Sequence, residues 1–252
     1  MEVPVDFMTS NKIIIVTVAW LFLLSCNSDN TKTHVQINDT SHASAKHMSH
    51  VQEKLSPSQV LSKLKEGNRN FGKRLSPINL LHDSSYNYFD QIKHTRNEQH
   101  PIACILTCMD SRVPPEIIFD QGIGSLFVIR IAGNIEDPDV LGSMEYAVAE
   151  KGVGVVIVMG HKNCGAISAA FSQVDPVNKG LVSLIAHVKM DIIPTDSPPY
   201  DASAKHNVKK TIDNILNGSK TIRKKMSAGD LILVGALYDV ADGSIDWNSS
   251  NW

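Results

Sequence analysis

Long apolar stretches are missing from this 252-residue chain. The longest, Ile13 to Leu24, is twelve residues, whereas a membrane-spanning helix needs about 20. Cysteine is sparse. Only Cys26, Cys104, Cys108 and Cys164 are present, too few to staple a domain of this size, which excludes a disulfide scaffold. Neither sign of charge dominates: 24 Lys and Arg against 26 Asp and Glu leave a formal net charge of −2. The chain therefore lacks an electrostatic footprint for nucleic acid, and no nucleic-acid partner is expected. The basic pairs Lys209-Lys210 and Lys224-Lys225 read as solvated helix faces. No internal repeat is evident. One glycine pattern, Gly122-Ile123-Gly124, hints at a nucleotide loop, but it precedes an apolar run and does not join a strand to a helix.

What is present divides into three segments. Residues 1–25 read as a targeting segment, because an apolar run of this length fits the hydrophobic region of a secretory signal. Its ending, Leu23-Leu24-Ser25-Cys26, resembles the bacterial lipoprotein signal, in which the residue matching Cys26 is lipidated and becomes the mature N-terminus. That resemblance implies a lipid-anchored protein of the bacterial cell envelope, on a periplasmic or outer-membrane face. Asn27, in place of an Asp, favours the outer membrane. Glu2 and Asp6 precede a single Lys12, a poor start for a signal, whereas initiation at Met8 in place of Met1 gives a basic opening. Residues 26–54 are polar, without apolar periodicity, and read as a disordered tether. The tether's His34, His42, His47 and His50 are read as solvated, not as metal ligands.

Residues 55–252 form the folded domain. Ser56-Pro57-Ser58 offers a helix N-cap with Pro at the first turn, followed by Val60, Leu61 and Leu64 at helical spacing. Gly67 is expected to end that helix. Apolar runs at 102–107, 126–131, 153–159 and 231–237 lack clean alternation, as expected of strands buried on both faces. Helical patterns separate them, one opening at Asp137-Pro138, another over 165–172 and a later one around Val208, Ile212, Ile215 and Leu216. The expected fold is α/β, with a mainly parallel central sheet flanked by helices and an N-terminal helical arm.

Chemistry concentrates in two clusters, Cys108-Met109-Asp110-Ser111-Arg112 and His161-Lys162-Asn163-Cys164. Each directly follows an apolar run. In open parallel sheets, ligands bind beyond the carboxyl ends of the strands. If the two strands are neighbours, both clusters emerge at one edge. Two thiolates, an imidazole and a carboxylate suit tetrahedral Zn²⁺. Cys104, inside the first strand, is assigned to core packing. Gly160 and Gly165 flank the second cluster and are expected to permit tight turns.

Cys108-Met109-Asp110-Ser111-Arg112-Val113 and Gly160-His161-Lys162-Asn163-Cys164-Gly165 resemble the β-class carbonic anhydrases. So do Phe119-Asp120-Gln121-Gly122, Arg130-Ile131-Ala132-Gly133-Asn134 and Val234-Gly235-Ala236-Leu237-Tyr238-Asp239. The resemblance covers roughly Ser56 to Trp247. It implies zinc held by Cys108, His161 and Cys164, with Asp110 alternating between a fourth ligand position and a pair with Arg112. It implies reversible hydration of CO₂ to bicarbonate and a proton, by attack of a zinc-bound hydroxide. Gln99 matches the family glutamine that hydrogen-bonds substrate. A homodimer or higher homo-oligomer is implied, the helix after Ser56 packing on the partner. Two alternatives remain at this point: a non-catalytic zinc or bicarbonate-binding protein with a closed four-ligand site, and a CS₂ or COS hydrolase on the same scaffold.

Overall fold

The computed structural model describes residues 55–74, 88–172, 177–190 and 192–247. The signal segment, Cys26 and the tether lie outside the described residues. Among the described residues, no helix is long and apolar enough to cross a membrane.

The apolar runs become a five-stranded sheet. Strands β1 (Ala103–Thr107), β2 (Leu126–Arg130), β3 (Val155–His161) and β4 (Ile232–Tyr238) run parallel, and β5 (Ile245–Asp246) closes one edge antiparallel to β4. The spatial order is β2-β1-β3-β4-β5. Every residue of β1 and β3 is buried, because helices cover both faces. On one face Ile105, Val155, Ile157 and Met159 pack with Val60 and Leu64 of α1 (Pro57–Arg74) and Ile118 of α3 (Pro115–Ile118). On the other, Cys104, Leu106, Val156 and Val158 meet Val140 and Met144 of α4 (Pro138–Glu145), Val208 and Ile215 of α7 (Asp201–Gly218) and Ile222 of α8 (Lys220–Ser227). The two-residue period of a strand produces this division.

The chain leaves β1 toward β2 on one side, and β3 pairs with the other side of β1. Strand order therefore reverses at β1, which makes the crevice between the carboxyl ends of β1 and β3 the topological switch point. The expected fold class and the expected adjacency of the two cluster-bearing strands both stand.

Several local expectations need correction. The first helix begins as expected, with Ser56 and Gln59 capping reciprocally: Ser56 N–H donates to Gln59 Oε1 at 2.8 Å and Gln59 N–H to Ser56 Oγ at 3.3 Å. The helix does not stop at Gly67, but runs on to Arg74. A Cβ at residue 67 would sit 1.9 Å from the Phe119 carbonyl oxygen, so this glycine allows α1 to lie against the 119 backbone. The third strand starts at Val155 and not Val153, because Val153 N–H donates to Ala147 O and closes the π-helical turn Tyr146–Glu150. Asp137 caps α4 by accepting from Val140 N–H at 2.8 Å. The pattern over 165–172 is α5 (Gly165–Ala170). Helices α2 (Tyr88–Thr95) and α6 (Lys179–Met190) went unassigned in the sequence.

Candidate metal centre

Both clusters leave the sheet at the switch point. β1 ends at Thr107, so Cys108 and Asp110 lie just beyond it. β3 ends on His161, and Cys164 stands at the N-cap of α5. The donor atoms of Cys108, His161 and Cys164 lie within 4.8 Å of one another, and all three residues are buried. An apolar cluster containing Ile135, Ile167, Val188 and Leu237 surrounds the two cysteines.

Three observations test whether the set fits zinc. First, the sulfurs are 3.9 Å apart. A disulfide needs about 2.05 Å, whereas two thiolates about 2.3 Å from one tetrahedral metal stand about 3.8 Å apart. Second, His161 Nδ1 donates to the Lys162 carbonyl at 2.9 Å, and since a carbonyl only accepts, the proton is on Nδ1. Nε2 then carries a free lone pair. It is buried with no hydrogen-bond partner, an arrangement that costs free energy unless a cation fills it. Third, one thiol of the pair is primed to lose its proton. Cys108 is pulled down to about 4, chiefly by its hydrogen bond with Cys164 and further by the Gly133 N–H, against the opposing effect of burial. The same bond, with burial, pushes Cys164 up. The pair thus shares one negative charge in a dry pocket, a state that a divalent metal converts to two thiolates. The residues present fit zinc.

Asp110 stands outside this three-residue set. Arg112 holds it with a bidentate pair, Nε to Oδ1 at 2.9 Å and Nη2 to Oδ2 at 2.7 Å, while Arg112 N–H also donates to Oδ1 at 3.0 Å. The side-chain bond to Arg112 is the main reason the carboxyl is held at about 2. A carboxyl depressed in the fold contributes stability above its unfolded value, near 3.8, and loses it as pH falls toward about 2. The Asp110–Arg112 pair is therefore fully charged at neutral pH. Asp110 Oδ2 rests 3.8 Å from His161 Nε2, next to the donor set.

Other groups fix the loops, and the sequence assigned none of them a role. Arg130, at the end of β2, donates to the carbonyls of both Cys108 and Asp110. Lys162 pairs with Asp239 at 2.8 Å. Gly133 has φ +72 and turns its N–H to Cys108 Sγ. The tight turn in the second cluster falls on Asn163, with φ +52, and not on Gly160 or Gly165. Gly160 is small for another reason: a Cβ there would stand 2.6 Å from Val208 of α7. Cys104 is fully buried, and burial pushes its thiol up to about 12, consistent with core packing. Arg130→Ala should lower zinc affinity about 10- to 100-fold, as loss of an outer-shell support does. Competition with a chromophoric chelator measures it.

The structure does not bring Gln99 to this centre. It is exposed and precedes the amino end of β1, whose five residues rise about 16 Å. It lines a cavity of about 610 Å³ with Pro57, Val153 and Gly154, at the opposite end of the sheet from Cys108.

A doubly covered parallel sheet with a buried Cys–His–Cys donor set and an arginine-held carboxylate defines a zinc-site α/β protein. The carbonic anhydrase family profile matches residues 103–245, and the chain belongs to that family, in its β class. Carbonic anhydrase from Mycolicibacterium smegmatis is 37% identical over 157 residues, covering 60% of this chain and 76% of the relative. Among solved structures, the β-carbonic anhydrase CcaA superposes with a TM-score of 0.53 at 26% identity, over 73% of this chain and 93% of that one. A tetrameric β-carbonic anhydrase of Sordaria macrospora gives 0.55 at 24% identity, over 71% and 96%. Zinc is the metal of this family, and Cys108, His161 and Cys164 are the group that can hold it.

Proposed function

We propose that this protein catalyses the reversible hydration of CO₂ to bicarbonate and a proton. The observation that carries this reading is the Asp110 carboxylate, drawn onto Arg112 while three buried donors converge without it. A three-ligand site leaves one position for solvent, which a catalytic zinc requires and a structural one lacks. When bound, zinc supplies the Lewis acidity that brings the pKa of a water to about 7. Cys108, His161 and Cys164 would hold the metal, and two thiolates would balance its charge. Asp110 Oδ2 accepts a hydrogen bond from the attacking oxygen and orients it. Arg112 keeps that carboxylate from taking the solvent position. Ile135, Ile167, Val188 and Leu237 keep bulk water away, and their apolar surroundings suit CO₂. The arginine disfavours a permanently closed binding site, and no feature favours CS₂ or COS. Stopped-flow CO₂ hydration by zinc-loaded protein, stripped by chelator and then reloaded, tests the proposal. Activity that survives stripping, or is absent from reloaded protein, defeats it.

The assembly is proposed to be a homodimer or larger homo-oligomer. Among the described residues β2 is an edge strand, and its Leu126, Phe127, Val128 and Ile129 are only half-buried, an edge that readily pairs with another copy. Gln99 can contact substrate only in a second subunit's site, so its assigned role also needs an assembly. Sedimentation showing only monomer at micromolar concentration would remove both ideas.

We further propose that the mature chain begins at a lipidated Cys26 and sits at the bacterial cell envelope. The support is the apolar run ending at that cysteine and the polar 26–54 tether. Cys26→Ser should move the protein from the membrane to the soluble fraction and abolish labelling by a fatty-acid analogue. Unchanged fractionation would oppose the anchor.

A further inference from the structure

The gate residue Arg112 has a second attachment. Besides its bidentate hold on Asp110, its Nη2 donates to the Asn163 carbonyl at 3.2 Å. Arg112 thereby ties the loop after β1 to the loop after β3, which lies between the donors His161 and Cys164. Asn163 offers that carbonyl from a left-handed conformation, φ +52, which asparagine tolerates better than most side chains but which still costs free energy, so the contacts that hold it bias the loop. Asp201 makes one such contact. Asn163 N–H donates to Asp201 Oδ1 at 3.0 Å, across 38 residues of sequence. Asp201 is the first residue of α7, the helix packed on β3 through Val208.

We propose that Asp201 is a positioning residue for the Asp110 gate. Its carboxylate oxygen fixes Asn163, Asn163 presents its carbonyl to Arg112, and Arg112 so held keeps Asp110 off the metal. Loss of the acceptor at 201 frees Asn163 to leave its left-handed conformation. Arg112 then loses its anchor on the second loop, and Asp110 more often takes the fourth ligand position. A purely structural role predicts otherwise. An acidic residue in a helix's first turn interacts favourably with the helix dipole, and Asp201 also adds to the field of acids around Lys162. Both of those effects need the charge. The gating role needs only an acceptor oxygen.

The inference rests on the gated reading of the site, and the test separates the two. Full-length protein is loaded with Co²⁺ in place of zinc, and azide is titrated in while the visible absorption bands are followed. An open site binds azide, whereas a site capped by Asp110 does not. Asp201→Ala should weaken azide binding about tenfold or more with cobalt content unchanged, and Asp201→Asn, which keeps the acceptor and drops the charge, should stay within about twofold of the parent. Asp201→Ser, a good helix-start residue too short to reach Asn163, carries the same expectation as Ala if the Ala variant does not fold. Parent-like azide binding in the Ala or Ser variant overturns the proposal, and so does an Asn variant as impaired as Ala. Arg112→Ala is the reference: if it too binds azide like the parent, the gate itself is wrong, not merely its link to Asp201.

Discussion

Arg112→Ala should retain its zinc and hydrate CO₂ about 10- to 100-fold more slowly than the parent. The three donors that hold the metal do not involve Arg112, so metal content by mass spectrometry should be unchanged. What changes is the competition for Asp110. Hydrogen bonds to a charged partner contribute about 1.5–3 kcal/mol, and each 1.36 kcal/mol is a factor of ten in rate. Arg112 is half-exposed, so solvent screening draws the effect toward the lower end. With the arginine gone, the carboxylate already 3.8 Å from His161 Nε2 finds its best remaining partner in the metal. Arg112→Lys should recover only part of the rate, because an ammonium cannot reproduce the two-pronged bond or the reach to Asn163. A fully active Arg112→Ala enzyme would refute the gate.

Cys108→Ser should lose both zinc and activity. A serine hydroxyl is not ionised at neutral pH, and zinc needs the deprotonated ligand. Structural zinc sites bind with about 10–16 kcal/mol over four protein ligands, near 3 kcal/mol each, so loss of one of the three donors here should cost about 100-fold or more in affinity. His161→Ala carries the same expectation. Stability should follow. Without metal, the buried Nε2 of His161 has no partner, at a cost of about 1–3 kcal/mol, and domains of this size lose about 2–4 °C in Tm per kcal/mol. Stripping zinc from the parent should therefore lower Tm by several degrees, whereas Cys108→Ser should already melt low and respond little to chelator. Differential scanning calorimetry with and without chelator measures both.

The sequence made the sheet legible because β1 and β3 are buried on both faces, so their Val and Ile runs stand out. The donor set was legible because each cluster begins where a strand ends. Elements with weaker local signals were missed. α6 covers the metal-side core with Ile185 and Val188, yet nothing in its sequence marks what it packs against. Gly67 reads as a helix end by local rules, although a distant backbone, that of Phe119, decides it. Gln99 has the family's spacing to Cys108, yet the apolar run 102–107 between them already puts the two residues at opposite ends of one strand, so a shared site within one chain was excluded by the sequence itself. Arg130, Asn163 and Asp201 escaped for a different reason. Their roles lie in bonds to backbone atoms of other loops, which leave no pattern in the residues themselves.

Zinc-edge anomalous diffraction from zinc-loaded crystals at mildly alkaline pH decides whether the centre is an open three-donor zinc site. One zinc peak is expected about 2.0–2.3 Å from Cys108 Sγ, Cys164 Sγ and His161 Nε2, with the Asp110 carboxylate still paired to Arg112. A crystal with no zinc there, or with Asp110 bound as the fourth ligand in the parent protein, would contradict it.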